Sequence, residues 1–195
     1  MPKQERSIRT RDLLLEEGLS ALIRRGYNGT GIKEVLEEAG VPKGSFYNYF
    51  ESKEDFASQV IDLYADRFHA ELGEAFADGP GALDRVRDYF DEEIPRQLEA
   101  GAGCLLGNLG AEVGATNPGL RQAMARGMGG TRERFAGAIE QGQADGTVRT
   151  DRTAEELAGV LFAAWEGALL RMQVEASREP LDEFSRLMID DFLRP

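Results

Sequence analysis

The chain has 195 residues, 42% of them hydrophobic and 30% charged, and a formal net charge of −12. This length and composition predict a soluble globular protein of one or two domains, and no apolar run approaches the roughly 18 residues that a membrane span requires. The first residues lack the apolar region of a signal peptide, and a single cysteine excludes an intramolecular disulfide. We therefore expect a cytoplasmic protein with no membrane partner.

The charges are unevenly distributed along the chain. Residues 1–53 hold 9 basic and 8 acidic side chains, including all four lysines, whereas the remainder carries a large acidic excess. A DNA duplex would repel that acidic part, so contact with DNA is expected from the first 53 residues alone. Their small positive charge counts against DNA binding unless the basic N-terminal residues and a second copy of the chain add to it.

The N-terminal residues 1–7 are expected to form a mobile basic arm. Leucines then recur at helical spacing from Leu14, which predicts a first helix that ends before Gly26. We expect these leucines to pack against Val35 and Phe46 in a small three-helix head.

Residues 30–53 predict two short helices about a tight turn. Gly31 can begin the first helix, and Gly40 supplies the left-handed residue that ends it. Pro42 then opens a second helix over residues 43–50, because its missing N–H is one that a helix start leaves unpaired. Two short helices joined in this way form the helix-turn-helix unit.

The second helix has two unlike faces. Phe46 and Phe50 lie four residues apart and can face the core together. The residues left outside include two tyrosines, an asparagine and a serine, where a merely solvated helix would show glutamate and lysine. Tyrosine and asparagine suit phosphates and base edges, and Lys43 with the free N–H groups of the first turn favours a phosphate. The pattern therefore predicts a DNA-reading helix.

Seven short sequence elements are distinctive in this stretch, both in their residues and in the distances between them: Gly26-Tyr27, Thr30, Ala39-Gly40-Val41, Lys43-Gly44, Phe46-Tyr47, Tyr49-Phe50 and Ser52-Lys53. Together they resemble the DNA-binding head of the tetracycline-repressor (TetR) family, over about residues 8–56. The resemblance implies a homodimeric repressor that binds double-stranded operator DNA and responds to a small-molecule effector. It also implies a DNA-binding domain over residues 1–52 and a ligand-binding and dimerisation domain over residues 53–195.

In such a regulator the second helix of the unit would enter the major groove. The predicted DNA-binding residues are Thr30, Lys43, Gly44, Ser45, Tyr47, Asn48, Tyr49 and Lys53, with Ser45 and Asn48 reading bases and the lysines, tyrosines and Thr30 holding phosphates.

Helical periodicity continues to the end of the chain. A long helix is predicted over residues 53–76, roughly 24 residues or about 35 Å, as a connecting rod that segment 77–81 breaks. Pro95 is expected to kink or split the next helix, whereas Asn117 and Thr153 supply N-caps for later ones. Since no segment alternates with period two, the chain is predicted to be all-α with about nine helices.

The last two predicted helices are apolar over wide faces and carry small residues that allow close approach. The resemblance implies that these two helices and their copies form the dimer interface, and a two-fold operator matches a two-fold protein; the alternative is ordinary packing within one chain. The predicted interface residues are Leu157, Leu161, Ala164, Ala168, Leu169, Phe184 and Met188.

Aromatic residues of the second domain are available to line an effector cavity, although most aromatics at helical spacing belong to a core. The predicted pocket residues are Tyr89, Phe90, Phe135, Phe162 and Trp165.

Cys104 stands at a predicted helix start, where free N–H groups favour a thiolate. The run from Gly103 to Leu109 resembles a branch of the family that senses reactive electrophiles, which implies that Cys104 is an alkylation or oxidation site. Some members of that branch place a lysine where this chain has Gln173, and no lysine follows Lys53, so a covalent Cys–Lys link is not expected. The alternative is a buried, inert cysteine with a non-covalent effector.

An enzyme is not predicted. The one histidine, His69, is far in sequence from Cys104, and no metal-ligand spacing, phosphate loop or nucleophile motif is present. We therefore expect no catalytic residue, no metal and no cofactor. A distant alternative is a helical interaction module that binds no DNA, but it would leave the outward tyrosines and Asn48 unexplained.

Overall fold

The computed structural model describes residues 3–77 and 81–195, with side chains from residue 7 onward, and is helical almost throughout. The helices are α1 (Lys3–Arg25), α2 (Ile32–Glu38), a 3₁₀ helix (Lys43–Asn48), α3 (Lys53–Ala75), α4 (Ala82–Ala100), α5 (Leu105–Val113), α6 (Pro118–Asp145), α7 (Ala154–Glu175) and α8 (Glu179–Phe184), which continues into a π-helical segment (Ser185–Phe192). None of the described residues lies in a strand, and the all-α prediction is confirmed.

The helix starts follow the predicted capping chemistry. The side chain of Asn117 accepts a hydrogen bond from the amide of Leu120 at 3.0 Å and begins α6. Thr153 accepts from the amide of Glu156 at 3.2 Å, and Glu156 accepts in return from the amide of Thr153 at 3.1 Å, which completes a capping box before α7.

Two predictions about helix limits need correction. Residues 3–7 belong to α1 and do not form a separate arm, since the helix begins at Lys3. Of the two outcomes predicted for Pro95, the split does not occur, since α4 runs unbroken from Ala82 to Ala100, and the kink stays a prediction. The predicted break at residues 77–81 lies largely outside the described residues.

The chain divides into two compact units. One unit contains Met1–Asp66 and Leu105–Gly127, and the other contains Arg67–Cys104 and Met128–Pro195. The first unit therefore contains α5 and the start of α6 together with the N-terminal helices. The division after residue 52 stays a prediction about which residues carry which function.

The core of the first unit is aromatic. Phe46, Phe50 and Phe56 are at most 2% exposed, and their ring centroids lie 4.9–5.5 Å apart. Val35 and Leu22 are also buried. The leucines of α1, the apolar stripe of α2 and the inward face of the 3₁₀ helix thus meet as the sequence predicted, and together they fix the second helix of the unit in place.

Helix α7 has 22 residues and, by length and composition alone, could cross a membrane, which the sequence analysis did not expect. This is weak support for a span, because the core helix of a globular protein passes the same test. Leu157, Leu161 and Leu169 on this helix are at most 2% exposed and belong to the core of the second unit. Core packing therefore accounts for much of its apolar character.

Candidate nucleic-acid interface

The turn between α2 and the 3₁₀ helix has the geometry that its glycine requires. Gly40 has φ of +64°, the left-handed region that glycine adopts without strain. The Gly40 amide donates to the Glu37 carbonyl at 3.2 Å and the Val41 amide donates to the Leu36 carbonyl at 2.9 Å. These two bonds form a Schellman motif, and they set the direction in which the following segment leaves α2.

The segment after Pro42 is a 3₁₀ helix over Lys43–Asn48, two residues shorter than the helix predicted over residues 43–50. The amide of Ser45 donates to the Pro42 carbonyl at 3.0 Å, and its hydroxyl donates to the same oxygen at 2.6 Å. The Tyr49 amide donates to the Phe46 carbonyl at 2.9 Å. In so short a segment these i to i+3 bonds satisfy the backbone without a full α-helical turn.

The outward face of the 3₁₀ helix is polar and open. Tyr47 is 71% exposed, Asn48 and Gly44 are exposed, and a Cβ on Gly44 would meet nothing within 4 Å. Ser45 and Tyr49 are half-buried, and the Ser45 hydroxyl already has the Pro42 carbonyl as a partner. Tyr47, Asn48, Gly44 and Lys43, whose side chain is also exposed, are therefore the predicted contact residues most accessible to a duplex.

Two other predicted contact residues are held inside the head. Thr30 is 2% exposed and its hydroxyl donates to the Gly26 carbonyl at 2.6 Å. The Lys53 ammonium donates to the Tyr27 carbonyl at 2.7 Å and lies 4.4 Å from the centre of the Tyr27 ring. Burial lowers the pKa of Lys53. Both side chains support the loop between α1 and α2, and a direct phosphate contact by either one stays a prediction.

Acidic neighbours reduce the positive potential of this surface. Lys43 pairs with Glu37 at 3.1 Å, and the hydrogen bond from Lys43 lowers the pKa of Glu37. Arg25 pairs in the same way with Glu38 at 3.0 Å. Since both pairs are solvent-exposed, each contributes little to stability and can exchange for a phosphate. These ion pairs are consistent with the nearly balanced charges of residues 1–53, which hold 9 basic and 8 acidic side chains.

The predicted pocket aromatics pack against one another. Phe90 lies 5.7 Å from Phe135 and 5.0 Å from Trp165 between ring centroids, and Tyr89 lies 5.1 Å from Phe90. These four residues are at most 4% exposed, and Phe162 is partly buried against the same core. In this structure they form the core of the second unit, and their role in an effector cavity stays a prediction.

Cys104 is half-buried and immediately precedes α5. Its side chain hydrogen-bonds with Glu166 on α7, while burial raises the pKa of that carboxyl. Gln173, also on α7, donates to the Gly101 carbonyl at 3.5 Å. The segment before α5 is thus in contact with α7, and Glu166 is a neighbour of the thiol that the sequence analysis did not identify, because it lies 62 residues further along the chain.

Most of the predicted interface residues lie in the core of a single chain, and their part in a dimer contact stays a prediction. Leu157, Leu161, Ala168, Leu169 and Phe184 are at most 6% exposed, whereas Ala164 and Met188 are half-buried. The three core leucines of α7 and their neighbours leave a different stripe of this helix facing outward. The exposed apolar and small residues of that stripe are Val160, Ala163, Gly167, Leu170 and Val174.

This outward stripe of α7 has the spacing of a helix–helix contact. Its members are separated by alternating steps of three and four residues, the pattern of a coiled-coil seam. Val160, Leu170 and Val174 are 48%, 60% and 78% exposed. The stripe borders an open groove of about 920 Å³ whose lining includes Phe192. Large apolar side chains in a regular exposed row indicate a surface that binds another protein.

Comparisons with known proteins agree with this geometry. Residues 14–60 match the family model "Bacterial regulatory proteins, tetR family", and residues 82–188 match "Tetracyclin repressor-like, C-terminal domain". The chain is 35% identical over 184 residues to the HTH-type transcriptional repressor DhaR of Mycobacterium sp. (strain GP1), covering 94% of this chain and 92% of DhaR. It is 38% identical over 176 residues to the transcriptional regulator AcuR of Cereibacter sphaeroides, covering 89% of this chain and 80% of AcuR.

Solved structures show the same fold. The reduced form of NemR from Escherichia coli superposes with a TM-score of 0.87 at 32% identity, covering 95% of this chain and 97% of that one. A TetR regulatory protein from Rhodobacter sphaeroides gives a TM-score of 0.82 at 36% identity, covering 92% and 96%. These relatives are regulators and not enzymes. The chain therefore belongs to the TetR family of bacterial DNA-binding transcriptional regulators.

Proposed function

We propose that the protein is a homodimeric repressor that reads operator DNA with the outward face of its 3₁₀ helix. The observation that carries this proposal is the division of that helix, in which Phe46 is fully buried while Tyr47 is 71% exposed. Buried Phe46 fixes the segment on the head, so the polar side chains project at a defined angle. As a DNA-binding regulator, the protein is expected to act in the cytoplasm.

Asn48 is the most suitable base reader on this surface. It is exposed, and its amide can donate and accept at once, which matches the major-groove edge of adenine. The Ser45 hydroxyl donates to the Pro42 carbonyl and can offer a base only its remaining acceptor capacity. Tyr47 and Lys43 flank this position and suit the phosphates on either side.

Replacing Asn48 by alanine is expected to weaken operator binding by about 5- to 150-fold, the cost of about 1–3 kcal/mol for a lost bidentate base contact. The measurement is fluorescence anisotropy on the DNA upstream of the protein's own gene or, if that fragment does not bind, on a fragment selected from the genome. Gln122→Ala, which removes an exposed amide from α6, serves as the matched control. Equal affinities for both variants would contradict the role of Asn48, and failure to bind any fragment would contradict DNA binding itself.

The outward stripe of α7 supports the homodimer. A single helix-turn-helix reads only a few base pairs, and two copies related by a two-fold axis can read both halves of a palindromic operator. The stripe offers Val160, Leu170 and Val174 to the same surface of a second chain. Ala163 and Gly167 between them would let the two helices approach closely.

Modification of Cys104 is the proposed release signal. The thiol is half-buried and immediately precedes α5, so it stands beside the positive end of that helix. Glu166 acts in the opposite direction, because the hydrogen bond between the thiol and this carboxyl favours the protonated thiol. No lysine follows Lys53 in the chain, so the expected chemistry is direct alkylation or oxidation of sulfur.

N-ethylmaleimide is expected to abolish operator binding by the wild type and to leave Cys104→Ser bound.

In Glu166→Gln, the rate of alkylation at pH 8 should rise about three- to tenfold, because thiolate formation is no longer opposed by a neighbouring carboxyl group. Mass spectrometry gives the rate, and Glu140→Gln, an exposed glutamate of α6, controls for the lost charge. A slower reaction in Glu166→Gln would show that the carboxyl activates the thiol.

The alternative is a repressor with a non-covalent effector and an inert Cys104. Operator binding that ignores alkylation in the wild type would establish this alternative and leave the DNA-binding assignment intact.

A further inference from the structure

A carboxylate from α5 binds the loop that joins α1 to α2. The Glu112 side chain accepts hydrogen bonds from the Tyr27 amide at 2.9 Å and from the Asn28 amide at 2.8 Å. Gly26 has φ of +67°, and a Cβ at this position would lie 2.5 Å from the carboxylate. The glycine therefore permits both the turn and the close approach, and successive N–H groups after a left-handed residue form an anion-binding concavity.

This contact is unusual for a helix end. Gly26 follows the C-terminus of α1, where the helix dipole disfavours a negative charge. The two backbone donors compensate for that cost, and Lys53 attracts Glu112 while its ammonium binds the Tyr27 carbonyl at 2.7 Å. The loop is thus bound through its amides by Glu112 and through a carbonyl by Lys53.

A second contact joins the same region of the chain to the start of α3. The Asn117 side-chain amide donates to the Glu54 carboxylate at 3.2 Å. A Cβ on Gly119 would overlap that carboxylate, so the backbone approaches it closely. Residues 105–119 therefore bind the head at two places: the loop after α1 and the first turn of α3.

The chain immediately before α5 is in contact with α7. Cys104 hydrogen-bonds with Glu166, and the Gly101 carbonyl accepts from Gln173. Leu105 begins α5, a helix of nine residues, so Cys104 is joined by a peptide bond to its first residue. Glu112 lies on its last turn, two turns away.

We propose that Glu112 is the positioning residue through which α5 sets the orientation of the DNA-reading head. Its two hydrogen bonds hold the loop at residues 26–28 against α5. Lys53, the first residue of α3, binds the same loop through the Tyr27 carbonyl. A displacement of α5 then moves the head, and DNA binding to the head in turn restrains α5. This inference rests on DNA binding by the head and does not depend on which effector acts.

Coupling between two sites acts in both directions, so DNA binding to the head should change the behaviour of α5. The proposal can therefore be tested without an effector. Hydrogen–deuterium exchange of peptides from residues 105–113 is measured in the full-length protein, free and saturated with an operator fragment identified by anisotropy. In the wild type, DNA is expected to slow exchange about fivefold or more, the lower end of ordinary coupling. In Glu112→Ala, which removes an exposed side chain, the effect should fall below about twofold although the head is still saturated with DNA.

Two variants separate this role from loss of charge or of stability. Glu112→Gln keeps one acceptor oxygen and should give an intermediate effect, whereas Glu140→Gln should behave as the wild type. Unchanged protection of α5 in Glu112→Ala, or no protection by DNA in the wild type, would overturn the proposal. If N-ethylmaleimide releases the wild-type protein from DNA, Cys104 is supported as the release signal. If it does not, Cys104 is removed from the proposed function, and the result for Glu112 is unaffected.

Discussion

Phe46→Ala is expected to lower the free energy of unfolding by about 3–5 kcal/mol, the usual cost of removing a buried phenylalanine. Phe46 is fully buried, and its ring lies 5.2 Å from that of Phe50 and 5.5 Å from that of Phe56. The cavity would open directly beneath the 3₁₀ helix, so the outward residues would lose their fixed geometry. Operator binding should be lost even under conditions where the second unit remains folded.

The neighbouring Tyr47→Ala is the matched control for this prediction. Tyr47 is 71% exposed, so its removal should change the free energy of unfolding by less than about 0.5 kcal/mol while weakening DNA binding. Urea unfolding followed by circular dichroism and anisotropy on the operator measure the two effects. If Phe46→Ala kept full stability, or if Tyr47→Ala kept full affinity, the assignment of inward and outward faces would be wrong.

Leu170→Glu is expected to raise the dissociation constant of the dimer by about 30- to 1,000-fold, as for an interface residue that contributes about 2–4 kcal/mol. Leu170 is 60% exposed in the single chain, and a two-fold axis places the new charge twice in the same apolar contact. Glutamate is a good helix former, so α7 itself should persist. Operator affinity should fall as well, because separated heads no longer bind both half-sites together.

Sedimentation equilibrium measures the dimer, and circular dichroism shows whether the helices are retained. Ala125→Glu adds the same charge at an exposed position of α6 and should leave the dissociation constant unchanged. A dimer of wild-type strength in Leu170→Glu would show that the outward stripe of α7 is not the contact surface, and the groove beside Phe192 would then be the surface to test.

The helix-turn-helix was predictable because its determinants are local. Gly40 adopts the left-handed conformation that ends α2, and Phe46 and Phe50 meet the core at four-residue spacing. Capping by Asn117 and Thr153 was predictable for the same reason, since each cap involves residues within one helical turn. Even there the predicted second helix, residues 43–50, is a shorter 3₁₀ helix over Lys43–Asn48.

By itself, the sequence determined the family, the all-α class and the position of the helix-turn-helix, because these depend on spacing along the chain. The tertiary structure alone decided which face of α7 is open, since Leu157 and Leu169 enter the core while Leu170 does not. It also decided which partners meet across long separations: Glu112 with the Tyr27 amide, 85 residues apart, and Cys104 with Glu166. Helical periodicity shows that a residue lies on an apolar stripe, but only packing against other helices determines which stripe is buried and which faces a partner.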